Sequence, residues 1–186
     1  MECVEALRDI NYISDIKHYL QKNSKRDYLF FVMGINMGLR VSELLQLKVK
    51  DVVEEEGIIK EFYDVKTDDP SPAIYINRQV EAALESYFQT VNLEPQDYLF
   101  KSKKCATPIT RQQAYRIINK AAKEVGVLGK VGTHTLRKTF GYHAYRSGVA
   151  ISILQKHFHH STPSETLRYL GISKKENNLV KIDVNL

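Results

Sequence analysis

Apolar positions in the first fifty residues recur at helical spacing. Ile13, Ile16, Tyr19 and Leu20 share one face of a first predicted helix, with Asn11 as its cap. Ser24 is placed to cap a second, whose stretch "YLFFVMGI" is apolar on every side, the pattern of a central buried helix. Gly38 supplies a stop, and Ser42 opens a short third helix, "SELLQL". The rhythm then changes. "IIKEFYDVKT" and "AIYINR" are rich in β-branched and aromatic residues and flank the turn cluster "DDPSP", which predicts a hairpin or small sheet. "RQVEAALESYFQT" returns to helix, and "PQDYLF" reads as a short extended piece before the basic loop "KSKK". Thr110 caps a helix ending at Gly126, another runs from Thr133 to Gly148, and short helices are expected over 151–157 and 163–170. The tail "VKIDVNL" alternates with period two, a strand that needs a sheet edge in its own molecule or in a neighbour. The expected class is α+β and mostly helical, with a small antiparallel sheet on one edge and a C-terminal strand.

The chain has 186 residues, one domain's length, and can bury a core without disulfides or metal. A net charge of +5 permits a polyanionic partner without demanding one. Two cysteines far apart, Cys3 and Cys105, suggest neither a disulfide framework nor a zinc ribbon. The start has no signal-peptide core and no run is long enough to span a bilayer, so a cytoplasmic protein without membrane contact is expected.

Four clusters carry candidate chemistry. "GLRVSEL" holds Arg40 with Glu43 one turn on, "VKT" holds Lys66, "THTLRKTF" sets His134 and Arg137 on one helical face, and "FHHSTPSETLRYL" holds His160 and Tyr169. Each has a plain structural explanation when taken singly. An Arg with a Glu three residues on is ordinarily a surface pair, a lysine after a strand is ordinarily just solvated, and HxxR recurs by chance. His157, His159 and His160 lack a Cys, Asp or HExxH partner, so no metal site is expected.

The ordered set, however, resembles the tyrosine recombinase (phage integrase) family. "GLRVSELLQLKVKDV" is similar to its first arginine motif, "HTLRKTF" to its HxLRHTF box, and "LQKHFHHSTPSETLRYL" to its LxxLLGHSSxxTTxxYxH box. Lys66 stands 26 residues after Arg40, and Tyr169 nine after His160. The likeness spans roughly residues 10 to 173. It departs where His159 replaces a glycine, where His157-Phe158 replaces a leucine pair, and where Lys138 follows Arg137.

The resemblance implies a site-specific recombinase or integrase of mobile DNA that cleaves and rejoins double-stranded DNA. Tyr169 would be the nucleophile, forming a 3′-phosphotyrosine without ATP, cofactor or metal. Arg40 and Arg137 would clamp the phosphate oxygens, His160 would donate to them, and His134 would accept the tyrosine proton or hold an oxygen. Lys66 would protonate the leaving 5′-oxygen, and Glu43 would orient the Arg40 region. Residues 1–173 would form the catalytic domain and 174–186 a tail, with the family's N-terminal DNA-clamping domain absent. A monomer when free and a tetramer on DNA is expected. The alternatives are a type IB topoisomerase-like strand transferase and a catalytically silent DNA-binding homologue.

The leaving-group role makes a specific demand. Lys66→Ala should slow DNA cleavage severely on an ordinary substrate but much less on one whose leaving oxygen is replaced by sulfur, because a thiolate departs without a proton. Equal losses on both substrates in single-turnover assays would remove Lys66 from this role.

Overall fold

The computed structural model describes residues 4–65, 73–102 and 105–173. Lys66 and the predicted C-terminal strand lie outside them. The element order is α1 (Ile10–Asn23), α2 (Lys25–Met37), α3 (Val41–Leu45), α4 (Val49–Val52), β1 (Phe62–Tyr63), β2 (Ile74–Tyr75), α5 (Arg78–Phe88), α6 (Arg111–Glu124), α7 (Thr133–Arg146), α8 (Ile151–Phe158) and α9 (Pro163–Leu170). The sheet is one antiparallel pair, with Phe62 opposite Tyr75 and Tyr63 opposite Ile74.

Most helix limits follow the local signals. Ser24 and Thr110 cap α2 and α6 as their sequence suggests, and Gly38 ends α2 in the left-handed conformation at φ 64°. Two starts differ from the sequence expectation. Asp9, not Asn11, caps α1, its carboxylate accepting from the Asn11 N–H at 2.8 Å. Helix α3 begins at Val41 with Arg40 as its N-cap residue, because Glu43 reaches back to accept from the Arg40 N–H at 2.7 Å. The one-turn helix α4 was not anticipated either. It is closed by Asp51, which accepts from the Lys48 N–H at 2.9 Å.

Helix α2 is the axis of the main core. Leu29, Phe30, Phe31, Val32 and Met33 are all essentially inaccessible to water. The helix packs against α1, α5 and α7. A second, smaller cluster is built from Leu154, Phe158, Leu170 and Ile172, with Phe140, Leu167 and Tyr169 packed onto it. Helix α7 belongs to both: Leu136 enters the main core and Phe140, one turn later, the small one. Helices α8 and α9 are thus carried on α7 by a satellite core.

That satellite needs a close approach at Gly141. A methyl group there would lie 2.5 Å from Leu170 Cδ2 and 2.6 Å from Phe158 Cζ. The N-terminal segment straps the same region. The Leu7 N–H donates to Thr139 Oγ1 at 2.9 Å, and Arg8 donates to the carbonyl of Gly171, the C-cap of α9, at 2.7 Å.

Gly141→Ala should therefore destabilise the protein by about 1–3 kcal/mol through overpacking. Urea denaturation reads the loss directly. Unchanged stability would mean that α8 and α9 adjust to the methyl group at no cost.

Candidate active site

Sequence-distant residues meet where the two cores join. A cleft of about 280 Å³ is lined by Arg40, Arg111, His134, Arg137, His160 and Tyr169, among others. Five of the six residues predicted to carry chemistry are brought together here; Lys66 falls outside the described residues. Glu43 stands behind the cleft, between the two arginines.

Arg137 is only 7% exposed, although its guanidinium is permanently charged. Three contacts hold it. Its Nη1 lies 3.6 Å from Glu43 Oε2, its Nη2 donates to the Phe158 carbonyl at 3.2 Å, and its Cζ sits 4.9 Å from the centre of the Phe158 ring. Phe158 is the last residue of α8, so the cation also meets the negative end of that helix. Glu43 reaches Arg40 as well, with Arg40 Nη1 at 3.5 Å from Oε1. These ion pairs are long, and Arg40 remains 56% exposed at its side chain. The carboxylate offsets the repulsion between two like charges through one long contact to each guanidinium. Glu43 thus contacts both arginines and not Arg40 alone.

Tyr169, on α9, lies at the inner wall. Its ring centre is 5.0 Å from that of His160 and 5.5 Å from that of Phe158, and Lys138 Nζ lies 5.1 Å from it. Its hydroxyl is buried and has no hydrogen-bond partner among the described residues. Burial pushes its pKa up, while Arg137 and Arg40 pull in the opposite direction. His160 is held below its ordinary pKa mainly by burial, with Arg137, Arg40 and His159 adding to the effect and Glu165 opposing it. His134 is lowered by burial and by Arg111, Lys138 and Arg137. Both shifts favour the neutral imidazole.

His159 takes the left-handed conformation at φ 55°, as the C-cap of α8, and its side chain is exposed at the cleft. It is the only non-glycine residue with positive φ among those described. The turn keeps the geometry that a glycine would give and tolerates a side chain. His157 points the other way, packing on Phe140 with ring centres 4.9 Å apart. Among the described residues, His160 is the one of the three whose ring packs edge-on against Tyr169.

Arg111 and Thr166 were not singled out from the sequence. Arg111 opens α6, and only the tertiary fold places it at the cleft. Thr166 had a signal, since it stands three residues before Tyr169 and therefore on a neighbouring helical face. Among the described residues no group of three or more His, Cys, Asp or Glu is arranged to hold a metal ion, and no helix is long and apolar enough to cross a membrane.

The phage integrase family matches residues 6–176. The chain belongs to that family. It is 41% identical to the probable integrase/recombinase YoeC of Bacillus subtilis (strain 168) over 94% of this chain and 93% of that relative. The XerA recombinase structure superposes with a TM-score of 0.76 at 23% identity, covering 96% of this chain and 62% of that one. XerH, a site-specific recombinase bound to palindromic difH substrate, gives a TM-score of 0.71 at 20% identity, covering 93% of this chain and 51% of that one. The domain is a tyrosine recombinase catalytic domain, and the topoisomerase alternative is not favoured.

The shared carboxylate is open to a direct test. Glu43→Gln should lower stability by about 1–3 kcal/mol, because Arg137 stays buried after losing its ion-pair partner. Glu43 is partly exposed, which keeps the loss below that of a fully buried pair. Denaturant titration gives the number. A change under a few tenths of a kcal/mol would show that the Phe158 carbonyl and ring suffice to hold the cation.

Proposed function

We propose that this domain cleaves one strand of double-stranded DNA with Tyr169, holds the 3′-phosphate as a phosphotyrosine, and rejoins it to a 5′-hydroxyl. The observation that carries the reading is the convergence of Arg40, Arg137, His134 and His160 around a tyrosine in one cleft. The geometry suits phosphoryl transfer. As Tyr169 Oη bonds to phosphorus and the 5′-oxygen leaves, negative charge gathers on the non-bridging oxygens. Arg137, held in place by three contacts, offsets that charge without rearrangement, and the more exposed Arg40 adds a second guanidinium. The N-terminus of α7, at Thr133 and His134, adds a positive helix end to the same cleft. Arg111 adds a third guanidinium, suited to a flanking phosphate.

A tyrosine has a free pKa of about 10, so a neutral His134 lining the same cleft is a suitable proton acceptor. A phenolate is also a good leaving group, so the covalent intermediate can be reversed by an incoming 5′-hydroxyl without ATP. Lys66 is the proposed donor to the departing oxygen. DNA as partner is in keeping with XerH, which is bound to its DNA substrate in a structure that shares this fold. Assembly into a tetramer on DNA, and action in the cytoplasm, are parts of the same proposal.

The test is capture on nicked duplexes of random sequence, on which the nick lets the cleaved fragment diffuse away. The wild-type protein should form a covalent adduct in excess EDTA, because the arginines supply the charge stabilisation. Tyr169→Phe should abolish the adduct while DNA affinity stays within about twofold, since phosphate contacts dominate binding. An adduct that persists in Tyr169→Phe would falsify the assignment of the nucleophile.

A further inference from the structure

His160 touches a residue that the reaction as described does not use. Its Nδ1 lies 3.0 Å from Thr166 Oγ1, and Thr166 is completely buried. His160 lines the cleft, so Nε2 is the ring nitrogen left for an anion. A neutral imidazole carries one proton, and only the tautomer with that proton on Nε2 can donate to a phosphate oxygen. The other tautomer would turn a lone pair towards the phosphate and repel it.

The hydroxyl of Thr166 decides between the two. It has one hydrogen and two neighbouring acceptors, His160 Nδ1 at 3.0 Å and the Thr162 carbonyl at 3.3 Å. The Thr162 carbonyl already accepts from the Thr166 N–H at 3.3 Å, as the first bond of α9. The shorter contact and the unfilled acceptor are both at Nδ1. We infer that Thr166 donates its hydroxyl hydrogen to His160 Nδ1 and so holds the neutral ring with its Nε2–H facing the phosphate. Thr166 is a positioning residue: it touches no reacting atom and acts through His160.

The arrangement also ties the anion-binding histidine to the helix of the nucleophile. Thr166 and Tyr169 stand three residues apart on α9, and the Tyr169 ring packs edge-on against His160. A displacement of α9 would alter the position of the tyrosine and the tautomer of the histidine together.

The inference rests on the proposed phosphate contact of His160, and its test does not depend on cleavage. The full chain, with nitrogen-15 in its histidine rings, is titrated with inorganic phosphate near pH 7, and the ring correlations show which nitrogen bears the proton. The wild-type protein should show His160 with the proton on Nε2 and a hydrogen-bonded Nδ1. Thr166→Val, which keeps the shape but removes the hydroxyl, should move the Nδ1 resonance towards that of an unbonded nitrogen. Thr166→Ser should restore it. On the nicked duplexes the Val variant should form adduct roughly tenfold more slowly, in keeping with one buried acceptor left unsatisfied, and the Ser variant should recover most of the rate. A proton on Nδ1 in the wild type, or an Nδ1 resonance unmoved in Thr166→Val, overturns the inference. If the wild-type protein forms no adduct, the proposed reaction fails while the ring spectra still decide the role of Thr166.

Discussion

Burying the charge of Arg137 is the constraint around which the site is organised. A guanidinium cannot shed its proton at any ordinary pH, so a position this enclosed must supply compensation from the protein. Here three elements contribute. Helix α3 brings the Glu43 carboxylate, and α8 brings both its terminal carbonyl and the face of the Phe158 ring. Each contact is modest, and together they leave the guanidinium at the cleft wall. The same requirement explains why Glu43 both caps α3 and lies between the two arginines. It fixes the backbone at Arg40 and offsets the charge at Arg137 with one carboxylate.

The division into two cores follows from what α7 must do. Leu136 anchors it in the large core, and Arg137, the next residue, faces the cleft. Phe140 then receives the small core that carries α8 and α9. Arg40, at the start of α3, and Arg137, on α7, therefore rest on a large apolar foundation, whereas His160 and Tyr169 stand on a small one. Local stability scales with buried apolar contact, so α9 belongs to the less stable part of the structure. Arg8 partly offsets this by holding the Gly171 carbonyl at the end of α9.

What the sequence made legible was local or strongly periodic. The apolar run of α2, the caps at Ser24 and Thr110 and the stop at Gly38 could be read directly, because each is a short-range signal. The start of α3 was misplaced by one residue because Glu43, and not the serine, satisfies the first free N–H. Helix α4 was missed because a single turn has no period to detect. Five residues that meet in the cleft, Arg40, His134, Arg137, His160 and Tyr169, stand out in the sequence through the spacing of a family resemblance. Arg111 was not, since its approach to the cleft depends only on how α6 lies beside α7. The double contact of Glu43 was invisible for the same reason: an i,i+3 pair is a sequence pattern, but the pair with Arg137 spans more than ninety residues.

The electrostatics of Tyr169 bear on the order of events. In the free protein, burial disfavours its phenolate while Arg40 and Arg137 favour it. The same two arginines are the proposed clamp for the phosphate. When a dianionic transition state occupies their donors, most of their field is spent on the phosphate oxygens and little remains to stabilise a separate phenolate. Phenolate and clamped phosphate therefore compete for one source of positive charge. A tyrosine ionised before the phosphate arrived would lose that stabilisation on binding and would also repel the incoming anion. Proton loss is thus best coupled to the formation of the phosphorus–oxygen bond, which disperses the new charge onto the oxygens that the arginines hold. That coupling requires a base able to take the proton at that moment, and His134, in the first turn of α7, is suited to it because burial, and then the nearby cations, favour its neutral form beforehand.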